Sequence, residues 1–155
     1  MAAKAKSIVS NSAISAALRE FLQIWEGKMK LNETTSIIIS KAIHIHRQLG
    51  PGLLESVYHR IFVYELKKTG LQVESELPVP VVWDDLTFEE GFRANLVVEN
   101  KVLVELKSVE ELRKVHYKQV ITYIKLADKR LGLLINFNVP ILKHGIKRIV
   151  NDFED

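Results

Sequence analysis

Hydrophobic positions along the chain change period several times, and each change marks an element. From Glu33 to Leu49 apolar residues recur at helical spacing; Asn32 is suited to cap such a helix and Gly50-Pro51-Gly52 to stop it. A second helical stretch runs from about Leu53 to Lys68 and ends at Gly70, with Leu54, Val57, Tyr58, Ile61 and Phe62 as its predicted buried stripe. The pattern then turns extended. Leu71 to Trp83 contains Leu77-Pro78-Val79-Pro80-Val81-Val82, whose prolines cannot donate ladder hydrogen bonds, so this segment reads as an edge strand. Asp84-Asp85 marks a turn. Thr87 to Val98 and Val102 to Lys107 read as two strands joined at Glu99-Asn100-Lys101. The second is apolar on both faces, as a central strand covered on both sides would be. Ser108 and Glu111 have the spacing of a capping box, predicting a helix from there to about Ala127. Leu131 to Phe137 is another buried strand, and Gly145 to Val150 is short and extended. Such alternation predicts an α/β domain, a central mixed sheet flanked by helices.

Length and composition narrow this further. At 155 residues the chain suits one domain with a real core and is short for two. Residues 1–30 read as an N-terminal extension to a domain over 31–155. Within it, Ala13 to Trp25 predicts a helix, with Ile14, Leu18, Phe21, Leu22 and Trp25 at helical spacing. Met29 serves equally well as a start. The chain has no cysteine, which removes disulfides, thiolate zinc sites and thiol nucleophiles and fits a reducing cytoplasm. No apolar run reaches the length of a bilayer span, and Met1 to Ala16 lacks the apolar stretch of a secretory signal, so no membrane partner is expected.

The net charge of +3 hides a division. Residues 1–30 carry +3, residues 31–100 carry −4, residues 101–148 carry +7 and residues 149–155 carry −3. A basic second half suits a polyanion such as nucleic acid, although a lysine-rich helix face in water gives the same count.

The residues able to carry chemistry lie mostly in the second half. Glu105 and Lys107, two apart on a strand, project from one face of an otherwise apolar segment. Burying them unpaired is costly. They form either a salt bridge at the strand's wet end or a metal-binding carboxylate beside a lysine that orients water and steadies phosphate charge. Asn95, on the preceding strand, comes near Glu105 if the faces match. Glu55 lies in the first turn of a helix, where an acid suits the helix dipole and where it can also supply a second carboxylate. His116, Gln119 and Tyr123 share one helix face with Leu112, Val120, Ile124 and Ala127, so this polar stripe is expected to face the sheet. His44 and His46 face different ways and are assigned no role. Lys143, Lys147 and Arg148 are candidate phosphate contacts or ordinary surface charge.

Six motifs in order carry a resemblance. They are Gly52-Leu53-Leu54-Glu55-Ser56-Val57-Tyr58, Pro78-Val79-Pro80-Val81, Gly91-Phe92-Arg93, Val104-Glu105-Leu106-Lys107, His116 with Gln119 and Tyr123, and Leu133-Leu134-Ile135-Asn136-Phe137-Asn138. Together, over about residues 31–150, the chain resembles the GxxExxY protein family of the PD-(D/E)XK nuclease superfamily. The resemblance implies the restriction-endonuclease-like fold and a Mg²⁺-dependent nuclease, Mn²⁺ being an alternative metal, acting on nucleic acid and on DNA in particular. It implies Glu105, Lys107 and Gln119 as catalytic residues, with Glu55, Asn95 and Glu105 at the metal. Tyr123 completes the Q-x-x-x-Y element and, with Lys143, Lys147 and Arg148, would face the nucleic acid. Asn95 departs from the pattern: the segment reads Arg93-Ala94-Asn95-Leu96-Val97-Val98-Glu99 where the family has a metal-binding Asp. An amide oxygen brings no charge, and Mg²⁺ prefers carboxylates. The alternative on the same fold is a non-catalytic nucleic-acid-binding or protein-interaction module.

Overall fold

The computed structural model describes residues 15–151, the side chains of residues 26–29 excepted. The elements run α1 (Ala16–Leu49), α2 (Glu55–Lys67), β1 (Val73–Trp83), β2 (Leu86–Val98), β3 (Val102–Lys107), α3 (Lys114–Leu126), β4 (Leu131–Asn136), a single turn α4 (Leu142–Gly145) and β5 (Ile146–Val150). The strands form one five-stranded sheet in sequence order, antiparallel throughout except for the parallel β3–β4 pair that α3 connects. This is the mixed α/β arrangement expected from the pattern. No helix among the described residues is long and apolar enough to cross a membrane.

β3 and β4 sit at the centre because both are apolar on both faces, and both faces are covered. On one side Ile38, Ala42 and Ile45 of α1 and Tyr58, Phe62 and Leu66 of α2 pack on Leu96, Val104, Leu106, Leu133 and Ile135. On the other, Val120 and Ile124 of α3 pack on Val97, Leu103 and Leu134. α3 lies tightly on β4 at Gly132, where an added Cβ would stand 2.6 Å from Val120 Cγ1 and 3.0 Å from Ile124 Cγ2.

Four local expectations are corrected. The first helix does not begin at Glu33 under an Asn32 cap: α1 is continuous from Ala16, with Ser15 as its cap. Between Trp25 and Asn32 the only breaker is Gly27, tolerated inside a helix at a cost of about 1 kcal/mol. Asn32 sits within α1, and its Oδ1 accepts a hydrogen bond from Arg148 Nη2. Residues Ala13 and Ile14 of the helix expected there lie outside the described residues. In α2, Leu54 and Val57 are exposed rather than buried, and the stripe is Tyr58, Phe62 and Leu66, because the chain is not yet helical at Leu54.

The other two corrections concern α3. It does not start at Ser108 but at Lys114. Ser108 Oγ donates to Leu53 O at 2.7 Å, and Asn136 grips Val109 at both its N–H and its C=O. These long-range bonds hold the segment in an irregular path, and the predicted cap is drawn into it. The cap falls to Arg113, whose N–H donates to His116 Nδ1 at 3.0 Å. His116 is therefore turned back to the helix start instead of continuing the sheet-facing stripe.

Candidate active site

At Asn95 the regular ladder between β2 and β3 stops. The last paired residues are Leu96 and Val104. Beyond them side chains take over: the Asn95 N–H donates to Glu105 Oε1 at 3.2 Å, and the Leu106 N–H donates to Asn95 Oδ1 at 2.9 Å. The ribbon of β1 and β2 turns over at the same level. Ala94 faces the α3 side while Leu96, also two residues on, faces α1 and α2. A regular strand would keep both on one side. Opposite Asn95, between the pairs Ser75–Leu96 and Leu77–Ala94, Glu76 has a left-handed backbone (φ 53°). Such a conformation is uncommon for a residue other than glycine and marks where the strand is forced out of its pleat.

Glu105 lies beside this opening and stays buried. The residue is 3% exposed, on the α3 face of β3. Burial pushes its carboxyl up from 4.5 to about 7. The Asn95 N–H and the Lys107 ammonium oppose that rise, and the charges of Glu55 and Glu76 add to it. Four of the groups singled out from sequence or structure are thus in electrostatic reach of Glu105. Lys107 shares its face by strand alternation and is paired in register with Asn136.

Glu55 is held in place by the turn before it. Gly50 and Gly52 both take positive φ (69° and 105°), conformations that favour glycine. Tyr58 clamps the turn, donating from its hydroxyl to Gly50 O at 2.5 Å and accepting from the Leu53 N–H at 3.3 Å. Its ring stacks on Phe137 with centroids 4.5 Å apart. Ser108, the residue after Lys107, ties the same turn to β3 through Leu53. The spacing of glycine, acid and tyrosine is therefore a mechanical unit that sets the start of α2 beside the end of β3.

Gln119 and Tyr123 lie on the sheet-facing side of α3. Gln119 Nε2 donates to the Tyr123 hydroxyl at 2.8 Å, and the Tyr123 ring stacks on Phe92 of β2 at 3.9 Å. The ring is thus occupied by packing on Phe92, and the Tyr123 hydroxyl is held by Gln119. The basic trio is divided. Lys147 lies in register with Leu134 and thus in the same row as Glu105. Arg148 points to the opposite face and binds Asn32. Lys143, in α4, lines an open groove of about 420 Å³ with Ile43, His46, Arg47 and Pro140.

Three residues near the site were given no role from the sequence. Glu76 is an exposed acid on the edge strand β1. His59 follows Glu55 by four residues and so shares its face of α2, a spacing that signals proximity. Its Nε2 lies 3.1 Å from Asn95 O and 3.3 Å from Glu76 Oε1. Asn136 is a buried amide ending an apolar strand; it accepts from the N–H groups of Val109 and Asn138 and donates to Val109 O, which fixes the segment after Lys107.

Among the described residues no three His, Asp or Glu side chains are grouped as a metal-binding set. The donor chemistry agrees. The Leu106 N–H can only donate, so the Asn95 amide must turn its oxygen to β3 and its NH₂ end elsewhere. That end repels a cation. As arranged, the residues fit a divalent metal poorly.

No curated protein and no solved structure matches the chain. A family model does, over residues 32–149, from the middle of α1 into β5 and including every residue of the opening described above. By that match, the chain belongs to the PD-(D/E)XK nuclease superfamily.

Proposed function

We propose that the protein is a nuclease-type domain directed at phosphodiester bonds of nucleic acid, DNA in the first instance, whose cleavage is weakened at Asn95. The observation that carries this reading is the buried Glu105 carboxyl with Lys107 on the same face, at the point where β2 leaves β3. A lysine there steadies the charge on a phosphate oxygen. A carboxyl with its pKa near 7 is matched to take a proton from a water at neutral pH. Gln119 positions the scissile group from the α3 side, and Lys147, in the row of Glu105, contacts the backbone. Membership of the narrower GxxExxY group is part of the same proposal and rests on the six ordered motifs.

A divalent cation would supply Lewis-acid stabilisation, with Glu105, Asn95 and Glu55 as the nearest donors. The orientation of Asn95 opposes that role, and so favours the second reading, a nucleic-acid-binding module that no longer cuts. Both readings are tested together by comparing the native protein with Asn95→Asp in Mg²⁺ and in Mn²⁺, on DNA and on RNA. Restored cleavage in the Asp form with slow cleavage in the native form supports the weakened nuclease. Salt-sensitive binding without cleavage by either supports the module. Neither cleavage nor binding rejects both.

A further inference from the structure

We propose that His59, Glu76 and the backbone carbonyl of Asn95 form a site for a transition-metal dication such as Zn²⁺, where α2 meets β1 and β2. The inference does not rest on the nuclease reading. The site uses neither the Glu105 carboxyl nor the Asn95 amide, the groups whose arrangement fits a metal poorly.

Three oxygens from two strands converge on one ring nitrogen. His59 Nε2 stands 3.1 Å from Asn95 O, 3.3 Å from Glu76 Oε1 and 3.3 Å from Ser75 Oγ. A ring nitrogen carries at most one hydrogen, so hydrogen bonding satisfies one of these oxygens well and leaves the others to share it. The carbonyl and the ionised carboxylate bring no hydrogen of their own. A cation satisfies them together with the nitrogen. Ligand atoms held about 2.0–2.1 Å from one ion stand roughly 3.0–3.4 Å from one another, which is the spacing found around Nε2.

The backbone is bent to bring these groups together. Neighbouring residues of a strand point to opposite faces, yet Ser75 and Glu76 both reach the same nitrogen. The left-handed backbone of Glu76 makes this possible. Conformations of this kind persist where the surroundings hold them, and they gather at ligand sites. Arg93 does the holding: its Nη1 donates to Glu76 O at 2.9 Å, while its Nε and Nη2 pair with the Glu90 carboxylate.

The donor set selects the metal. An imidazole beside a carboxylate suits Zn²⁺, whereas Mg²⁺ takes oxygen ligands. To bind, His59 keeps its proton on Nδ1 and presents the lone pair of Nε2. The His59 side chain is 12% exposed and that of Glu76 49%, so the site is open on one side and water completes the coordination. With a single carboxylate among the ligands, binding is reversible.

Calorimetry of the full chain with Zn²⁺, in a buffer that does not chelate it, tests the proposal. The site variants are His59→Gln and Glu76→Gln. The controls are His44→Gln, at an exposed histidine of α1, and Glu105→Gln. Thermal unfolding checks that each is folded. Glutamine at 59 keeps a donor for Asn95 O, and Glu76→Gln, on the exposed edge strand, carries the test if that variant does not fold. The expected result is one Zn²⁺ per chain, bound more than about tenfold more weakly by either site variant and equally well by both controls. Zn²⁺ should also raise the melting temperature of the native protein and not that of the site variants. Absence of binding by the native protein overturns the proposal, and so does binding that the site variants leave intact. Binding lost in Glu105→Gln but kept in His59→Gln puts the ion at the candidate active site and overturns it as well.

Discussion

Asn95 accepts the backbone N–H of Leu106 on its side-chain oxygen, while its own N–H donates to the Glu105 carboxyl. One residue thus closes the gap where two strands separate and turns its amide nitrogen away from β3. In this geometry an acid could stand at position 95 without disturbing the sheet. The oxygen that holds Leu106 is common to both side chains; only the outer atom changes.

Replacing Asn95 by Asp should keep the bond to Leu106 and place a second free carboxylate oxygen near Glu105. Without metal the variant should be slightly less stable, because Glu105, Glu55 and Glu76 already oppose one another. One unit charge about 4 Å from a cation contributes on the order of several kcal/mol at intermediate dielectric. Mg²⁺ should therefore raise the melting temperature of the Asp form, by an amount equivalent to about 2.7 kcal/mol when metal is at a hundred times its Kd. The native melting temperature should hardly move. Equal shifts for the two proteins would count against the role given to Asn95.

Glu105 predicts a pH dependence of unusual sign. Its folded pKa, about 7, lies above the ordinary 4.5. The folded protein therefore binds this proton more tightly than the unfolded chain. The stabilisation is full below pH 4.5 and is lost as pH rises through 7. Glu105→Gln, which keeps the shape and an acceptor for the Asn95 N–H, should be stabilising by roughly 1–3 kcal/mol at pH 8 and nearly neutral at pH 5. Urea unfolding in a chelating buffer at the two pH values measures this. A variant that loses stability at pH 8 would show that Lys107 compensates the buried charge fully.

Residues 1–30 should be dispensable for folding of the domain. Leu18, Phe21, Leu22, Ile24 and Trp25 are exposed, and the core of α1 begins around Leu31 and Thr34. A chain starting at Met29 should melt close to the full chain. About 1 kcal/mol moves the midpoint of a domain this size by roughly 2–8 °C, so a loss of several degrees would mean that the arm packs on the body.

Asn136→Ala should destabilise the protein by roughly 1–3 kcal/mol, since it strands the N–H and C=O of Val109 and the N–H of Asn138. It should also lower whatever activity Lys107 supports, because the segment following Lys107 loses its anchor. A fall in urea midpoint with unchanged activity in the Asn95→Asp background would separate the two effects and limit Asn136 to folding.

Much of this architecture was present in short-range patterns. Period-two spacing put Glu105 and Lys107 on one face of a strand that had to be central, because β3 has no polar side to show to water. Helical spacing put Gln119 and Tyr123 together on α3. Both depend only on the geometry of one element, which neighbouring residues determine. The start of α3 did not follow from such rules. Ser108 had every local reason to cap a helix, yet Leu53 O, over fifty positions earlier, offered its hydroxyl a partner that folding brings close. The parting of β2 from β3 at Asn95, the turned backbone of Glu76 opposite it and the approach of His59 depend in the same way on three segments meeting. Local sequence specifies which faces are apolar, because burial is a property of each residue. Which polar group satisfies which is decided only when distant segments compete for the same hydrogen bonds, and that competition exists only in the folded chain.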